Sequence, residues 1–67
     1  MELSARNQLQ GVVKSVELGA VMAEVVVDVG GQEMVGSITV ASVERLALGP
    51  GDTVTVIVKS TDVIIGK

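Results

Sequence analysis

The sequence predicts an all-β fold, a five-stranded barrel with one short helix between the third and fourth strands. Along several short segments apolar and polar residues alternate, which is the period of a β-strand with one buried face. A Gly–Gly pair separates two of these segments, as in a tight β-hairpin. One segment instead repeats its apolar residues every three to four positions, which is the period of a helix.

The first two strands are predicted over residues 8–18 and 20–29. In the first strand, Gly11 stands where a bulge or a tight curve would lie, because glycine allows another backbone to approach closely. In the second strand alternate residues share one dry face, and the opposite face is more polar. The dry face consists of Val21, Ala23, Val25, Val27 and Val29.

A hairpin and a helix are predicted next. Gly30 and Gly31 supply the positive φ angles of a two-residue turn, so the chain returns as a third strand over Gln32–Thr39. The helix is expected within residues 39–48, and either Thr39 or Ser42 can cap its start. Its periodic apolar residues are Val40, Val43 and Leu46.

The last part of the chain predicts a turn over residues 49–52 and a fourth strand over residues 53–59. Residues 60–62 interrupt the alternation of apolar and polar residues. The apolar residues 63–65 that follow are predicted to form a brief fifth strand. This order of elements is typical of a barrel of the OB type. An SH3-like barrel uses similar short strands, but the position of the helix favours the OB type. We expect a single domain over residues 1–67, because no linker or internal repeat divides it.

Composition predicts that this domain assembles with copies of itself. A chain of 67 residues hides only ~60% of the surface that its unfolded form exposes. Yet 48% of its residues are hydrophobic, without any Phe, Tyr or Trp. Small domains of this kind are stabilised by disulfides, a structural metal or oligomerisation. The chain has no Cys and no His, so oligomerisation is the expected solution.

The absence of cysteine also fits a reducing cytoplasm. The N-terminal residues MELSARNQLQ contain no apolar segment of a signal peptide, and no stretch is long enough to span a membrane. The sequence therefore predicts a cytoplasmic protein without a membrane partner.

Charge and residue types disfavour two classes of function. The net charge is −3, and the chain offers neither a basic stripe nor aromatic side chains for stacking on bases, so no nucleic-acid partner is expected. Without His, Cys or Tyr, no side chain is an obvious catalyst near neutral pH. Lys59 and Ser60 are adjacent and would point to opposite faces of a strand, so they do not form a catalytic pair. We expect no catalytic residue and no direct protein ligand to a metal.

Hydrogen-bond donors form three groups. The first group lies before the first strand and contains Ser4, Arg6 and Asn7. The second lies where the fourth strand ends and contains Lys59, Ser60 and Thr61. Each of these two groups joins a cation to a hydroxyl and free backbone N–H groups, which suits a doubly charged oxyanion. Thr39 and Ser42 form the third group, at the start of the helix, where N–H groups also favour an anion. The residues alone favour simple helix caps and solvated charges over an anion site.

Three long segments of the chain are distinctive, namely SARNQLQGVV (4–13), GAVMAEVVVDVGG (19–31) and GDTVTVIVKSTDVIIGK (51–67). They resemble the molbindins, the Mop family of small molybdate-binding proteins. The same segments resemble the molybdate-binding domains of a molybdate-responsive regulator and of molybdate importer ATPases. The resemblance implies an OB-like barrel, a homohexamer built as a trimer of dimers, and reversible binding of molybdate or tungstate at subunit interfaces, without an organic cofactor.

The resemblance also implies which residues bind the oxyanion. The cationic half of the site would come from one subunit, and its residues are Ser4, Ala5, Arg6, Lys59 and Ser60. A neighbouring subunit would contribute Thr39 and Ser42. A second kind of site on the threefold axis would lie near Gly19, Ala20 and Val21.

The function expected from the sequence is therefore storage or homeostasis of intracellular molybdenum by binding of its oxyanion. The alternative is a β-barrel interaction module without an oxyanion ligand, in which Arg6 and Lys59 pair with acidic residues across an interface. Titration with molybdate distinguishes the two, because an interaction module would not bind it.

Overall fold

A computed structural model describes all 67 residues, Met1 to Lys67. The strands are β1 (Asn7–Leu18), β2 (Met22–Val29), β3 (Gln32–Thr39) and β4 (Thr53–Val58). One helix, α1 (Val40–Leu46), lies between β3 and β4, and a 3₁₀ turn (Ser60–Asp62) follows β4. The strands form one antiparallel sheet in the order β3-β2-β1-β4. The strands β3 and β4 are therefore its two edges.

The long strand β1 is shared by two partners. Its first half pairs with β4, from Asn7 opposite Val58 to Val12 opposite Thr53. Its second half pairs with β2 and ends with Leu18 opposite Ala23. Because each half has a different neighbour, β1 connects the two sides of the sheet and bends between them.

Two features of β1 accommodate this bend. The register with β2 shifts between Val13 and Ser15, so a bulge lies there and not at Gly11 itself. At Gly11 an added Cβ would lie 2.6 Å from Val27 Cγ1 and 2.7 Å from the carbonyl oxygen of Asp28. Only glycine fits so close to the neighbouring strand, so close packing against β2, and not the predicted bulge, requires glycine at this position.

The hairpin between β2 and β3 is confirmed. Gly30 and Gly31 have φ angles of 59° and 89°, which the two-residue turn requires. The N–H of Gly31 also donates to Asp28 Oδ1 at 2.9 Å. Val29 pairs with Gln32 directly across the turn.

The helix is confirmed between β3 and β4. Thr39 is its N-cap and accepts a hydrogen bond from the N–H of Ser42 at 3.0 Å. At the other end Ala47 adopts the left-handed conformation, and its N–H donates to the carbonyl oxygen of Glu44 at 3.1 Å. With seven residues α1 is short, and only Val43 on it is buried.

The core is small, as expected for a chain of this length. Its buried side chains come from β1, β2 and α1, and they are Val13, Ala23, Val25, Val27 and Val43. Three of them belong to the predicted dry face of β2. The two ends of that predicted face differ, because Val21 precedes β2 and is 70% exposed while Val29 is half-buried. Many aliphatic side chains remain on the surface.

The predicted β architecture with one short helix is confirmed, but the predicted five-stranded barrel is wrong, because the sheet is open and has four strands. Residues 63–65 do not form a strand, and the side chains of Ile64 and Ile65 are 93% and 84% exposed. β-Branched residues favour an extended backbone, but a strand also needs a neighbour with which to pair. After the 3₁₀ turn the chain leaves the sheet, so nothing in this chain pairs with it. An open groove remains between β3 and β4.

Neither helical segment has the length and apolar character of a membrane-spanning helix.

Candidate functional site

The start of β1 brings the two predicted cations to the same end of the sheet. Asn7 is paired with Val58. Arg6 immediately precedes Asn7, and Lys59 immediately follows Val58, so both lie just beyond the same pair of the ladder. Both side chains are exposed. Two positive charges held side by side repel each other and favour a negative ion between them.

Neither cation has a partner in the chain. The single ion pair of the structure joins Lys14, near the middle of β1, to Glu33 on β3. The hydrogen bond to Glu33 and its negative charge raise the pKa of the Lys14 ammonium. Arg6 and Lys59 form no ion pair, although the chain carries eight acidic residues. Their charge is thus available to a ligand.

The approach to β1 also presents unused backbone donors. The N–H groups of Ser4, Ala5, Arg6 and Lys59 donate no hydrogen bond within the chain. Ala5 is half-buried and has a small side chain, so an oxygen atom can approach its N–H without obstruction. Buried or shielded N–H groups need a partner, which here must come from water, a ligand or another chain.

Gln8 holds this approach in place. Its side-chain Nε2 donates to the carbonyl oxygen of Ala5 at 2.7 Å, and its backbone N–H donates to the carbonyl oxygen of Arg6 at 3.1 Å. Both bonds use carbonyl groups and leave the neighbouring N–H groups free. The sequence prediction missed Gln8, because a glutamine next to a strand carries no signal that distinguishes an anchor from a solvated side chain.

The segment after β4 is shaped by its 3₁₀ turn. The N–H of Asp62 donates to the carbonyl oxygen of Lys59 at 2.9 Å, and the N–H of Val63 donates to that of Ser60 at 3.4 Å. The Ser60 side chain is exposed and makes no hydrogen bond within the chain. Its hydroxyl therefore remains a free donor next to Lys59.

Thr39 and Ser42 lie together at the opposite end of the molecule. Thr39 pairs with Met22, at the end of the sheet where β1 finishes and β2 begins. The Thr39 hydroxyl donates to Ser42 Oγ at 2.8 Å and accepts from the Ser42 N–H at 3.0 Å. Ser42 Oγ thus accepts one bond and can still donate its own proton to a ligand.

The backbone at this end offers little more to an anion. The N–H of Val40 donates to the carbonyl oxygen of Val21 at 2.8 Å, and the N–H of Ser42 is used by the cap. A helix of seven residues also aligns few peptide dipoles. The hydroxyl groups are therefore the main donors that remain.

Gly19, Ala20 and Val21 form the turn between β1 and β2, beside the start of α1. The N–H of Gly19 donates to the carbonyl oxygen of Met22 at 2.8 Å, which closes the turn. A shallow hollow next to it contains Glu17 and Glu24, which face each other across β1 and β2. Two adjacent carboxylates oppose the binding of an anion in this hollow.

The structure brings together the first two predicted groups, around Arg6 and around Lys59, and it brings Thr39 to Ser42. It does not bring these two halves together, because a strand of twelve residues separates them. No group of three or more acidic, His or Cys side chains could hold a metal ion. One chain thus carries two incomplete sets of donors at opposite ends.

Comparison with known proteins gives consistent matches over nearly the whole chain. The model of the TOBE domain family matches residues 3–65. Among curated proteins, molybdenum-pterin-binding protein 2 of Clostridium pasteurianum is 47% identical over 66 residues, which cover 97% of each chain.

Solved structures agree with the sequence matches. A molybdate-binding protein from Sporomusa ovata superimposes with a TM-score of 0.95 at 46% identity, over 100% of both chains. The cytoplasmic molybdate-binding protein ModG superimposes with a TM-score of 0.91 at 43% identity, over 96% of this chain and 46% of ModG.

Proposed function

The chain belongs to the TOBE domain family, and from that premise we propose that it binds molybdate without transforming it. Its curated relatives are named molybdenum-pterin-binding proteins, and two of its structural neighbours are molybdate-binding proteins at 46% and 43% identity. Binding without catalysis also fits a chain that lacks His, Cys and Tyr.

The observation that carries this proposal is the pair of cations, Arg6 and Lys59, beyond one end of the sheet without any carboxylate partner. Two positive charges match the two negative charges of molybdate. The free N–H groups of Ser4 and Ala5 and the Ser60 hydroxyl would complete the set of donors. Charge-assisted hydrogen bonds of this kind are stronger than those between neutral groups.

The proposed site is shared between two subunits. Thr39 and Ser42 lie at the other end of β1, and an oxygen atom must come within about 3 Å of each donor. One ion cannot reach both ends of one chain. A neighbouring subunit that presents Thr39 and Ser42 to Arg6 and Lys59 would supply the missing hydroxyl groups, as in a symmetric assembly.

The selectivity for molybdate over hydrogen phosphate would follow from the hydrogen-bond donors of the site. If every group that contacts the anion is a donor, hydrogen phosphate has no acceptor for its own proton, whereas fully ionised molybdate or tungstate is accommodated. The names of the curated relatives also mention a pterin. A pterin ring would require a stacking surface, and this chain has no aromatic side chain. The oxyanion alone is thus the favoured ligand, without an organic cofactor.

The proposed assembly is a homohexamer, a trimer of dimers, in which residues 1–67 act as one domain. It would serve as a cytoplasmic store or buffer of molybdate or tungstate. A second anion site near Gly19, Ala20 and Val21 would require cations from neighbouring subunits, because Glu17 and Glu24 lie next to that turn.

Isothermal titration calorimetry with molybdate, tungstate, sulfate and phosphate tests the proposal. We expect saturable binding of molybdate and tungstate and much weaker binding of phosphate. A protein that is folded by circular dichroism but gives no heat with molybdate would refute the function. The interaction module would then be the better explanation.

Mixing two chains that each bind molybdate weakly tests whether the site is shared. One chain carries Arg6→Ala, and the other carries Thr39→Ala and Ser42→Ala. Each half of a shared site then comes from either chain with equal chance. If assembly is random, roughly a quarter of the sites therefore take Arg6 and Lys59 from the second chain and Thr39 and Ser42 from the first. These sites are intact, so part of the molybdate binding returns. A site contained within one chain would gain nothing from mixing.

A further inference from the structure

Gln8 is the only residue around the two cations whose side chain forms a hydrogen bond within the chain, taking residues 1–9 and 58–67 together. Its Nε2 donates to the carbonyl oxygen of Ala5 at 2.7 Å, and its backbone N–H donates to the carbonyl oxygen of Arg6 at 3.1 Å. One residue therefore holds two successive carbonyl groups. The side chain of Gln8 is exposed, so burial in the core does not account for this contact.

These two bonds fix the peptide groups on both sides of Arg6. All peptide bonds of the chain are trans. A trans peptide unit is planar, and its C=O and N–H groups point in opposite directions. The bond from Gln8 to the carbonyl oxygen of Ala5 therefore turns the N–H of Arg6 away from Gln8. The bond to the carbonyl oxygen of Arg6 fixes the next peptide unit in the same way.

The N–H of Arg6 belongs to the donors that the fold leaves free. It donates no hydrogen bond within the chain, and neither do the N–H groups of Ser4 and Ala5. Residues 1–6 belong to no strand or helix, so no ladder of backbone bonds holds them. The two bonds from Gln8 therefore determine how this segment presents its N–H groups and the Arg6 side chain.

An ordered segment binds an anion more tightly than a mobile one. Ordering the backbone of one residue lowers an equilibrium constant by roughly a factor of ten. If Gln8 orders the segment before the anion arrives, binding does not have to supply this free energy.

Ordered donors also discriminate between anions of different size. Sulfate carries two negative charges and no proton near neutral pH, so neither charge nor protonation distinguishes it from molybdate. Sulfate is the smaller ion, and a hydrogen bond requires a donor–acceptor distance of about 2.7–3.2 Å. Donors held in place match one size of tetrahedral ion, whereas mobile donors can close around the smaller one as well.

We propose that Gln8 is a positioning residue of the oxyanion site. It orders the Arg6 segment before the anion binds, and this order gives the site its preference for molybdate over sulfate. Gln8 acts through Ala5 and Arg6 and does not need to touch the anion. The proposal rests on the proposed function and adds the means by which the site distinguishes two doubly charged oxyanions.

The variant Gln8→Met tests this role, because it keeps the length of the side chain and removes the donor. Gln10→Met is the matched control, since Gln10 is exposed on the same face of β1 and its side chain forms no hydrogen bond. Calorimetry measures molybdate directly and sulfate by competition. Gln8→Met should bind molybdate about tenfold more weakly and sulfate with a smaller loss, so selectivity falls. Gln10→Met should change neither affinity.

Unchanged molybdate affinity of a folded Gln8→Met chain would overturn the proposal. An equal loss for molybdate and sulfate would overturn it too, because selectivity would then not depend on Gln8. Unmodified protein that binds no molybdate would instead refute the proposed function itself.

Restoring the donor separates positioning from other effects of the substitution. Gln8→Lys again places a donor within reach of the carbonyl oxygen of Ala5 but adds a charge, and Gln10→Lys adds the same charge without that contact. The gain in molybdate affinity from Met to Lys should be larger at position 8 than at position 10. Equal gains would show that only the charge matters and would contradict the proposal.

The order of the segment without ligand can be measured by NMR relaxation of the Arg6 amide. Its order parameter should be about 0.85 in the unmodified chain and below about 0.6 in Gln8→Met. Saturation with molybdate should bring the two values together, because the anion then holds the segment. An Arg6 amide that remains rigid in the ligand-free Gln8→Met chain would overturn the proposal even if the affinity falls, since Gln8 would then not act by ordering the segment.

Discussion

The two ends of β1 differ in how the chain uses its own hydrogen-bonding groups. At the start of β1, Arg6 and Lys59 have no ionic partner, and their own N–H groups and those of Ser4 and Ala5 donate to nothing in the chain. At the far end, the Thr39 hydroxyl both donates and accepts within the chain, and the N–H of Val40 is also paired. The first end therefore holds donors that the fold does not need, and the second holds donors that the fold already uses. Substitutions at the two ends should separate binding from stability.

The largest effect, a loss of molybdate affinity, is expected when either Arg6 or Lys59 is replaced. Arg6→Ala or Lys59→Ala should each weaken molybdate binding by about 2 kcal/mol or more, roughly 30-fold, because removal of one charge leaves the anion incompletely paired. Thermal unfolding without ligand should hardly change, since neither side chain makes a contact that the fold requires. Calorimetry and melting curves of the same preparations measure both quantities.

Lys14→Ala is the matched control for these variants. It removes one positive charge from β1, but Lys14 is paired with Glu33 on the edge strand β3. Its molybdate affinity should remain close to that of the unmodified chain. If all three variants bind molybdate equally well, the two-cation site is wrong.

The next largest effect is a loss of folding stability at Gly11, in the bend of β1 between its two ends. Gly11→Ala should reduce the free energy of unfolding by about 1–3 kcal/mol, as overpacking of a core does. The added Cβ would lie 2.7 Å from the carbonyl oxygen of Asp28, and backbone cannot move aside as a flexible side chain can. Urea denaturation measures the change. Gly49→Ala is the control, because nothing lies within 4 Å of its Cβ position; an equal loss there would exclude the steric explanation.

Most of the fold could be predicted from the sequence because its signals are local. The Gly30–Gly31 turn and the valine alternation of β2 each involve residues close in sequence, and the structure confirms both. Of the two predicted caps of the helix, Thr39 and Ser42, the structure has Thr39. The prediction of a fifth strand at residues 63–65 was wrong for a related reason. Local sequence indicates an extended backbone but not the strand with which it pairs.

The candidate site shows the same limit. The residue types around Arg6 and Lys59 identify cations and donors, and the antiparallel pairing of β1 with β4 brings them to one end. The separation of Thr39 and Ser42 from that end depends on the whole sheet, which the sequence does not reveal. The role of Gln8 depends on a single contact with Ala5, for which no sequence pattern exists.

A smaller effect is expected at the far end. Thr39→Ala removes the N-cap of α1 and should cost about 1 kcal/mol of folding stability even without ligand. Ser4→Ala, at the start of β1, is the corresponding control and should leave stability unchanged, because its hydroxyl makes no hydrogen bond in the chain. Equal stability of the two variants in urea denaturation would show that the ends do not differ as described.

The smallest effect on stability is expected for Lys14, the paired cation that lies between the two ends of β1. Lys14→Met removes the ion pair with Glu33. Because both side chains are largely exposed, the melting temperature of the unmodified chain should be only slightly higher than that of the variant. The pKa of Lys14 is raised above its ordinary value of 10.5 by the hydrogen bond to Glu33 and its charge. A raised pKa in the folded state means that the stabilisation is fully present below pH 10.5 and is lost as the pH rises through the folded-state pKa. The difference in melting temperature should accordingly persist from pH 7 to pH 9 and disappear in strongly alkaline buffer.

The difference in melting temperature should also shrink in high salt, which screens exposed charges. A difference that grew with pH, or that salt left unchanged, would mean that Lys14 stabilises the sheet through packing of its methylene groups and not through its charge. Such a result would remove the contrast between a cation that the fold has paired and the two that it has left free.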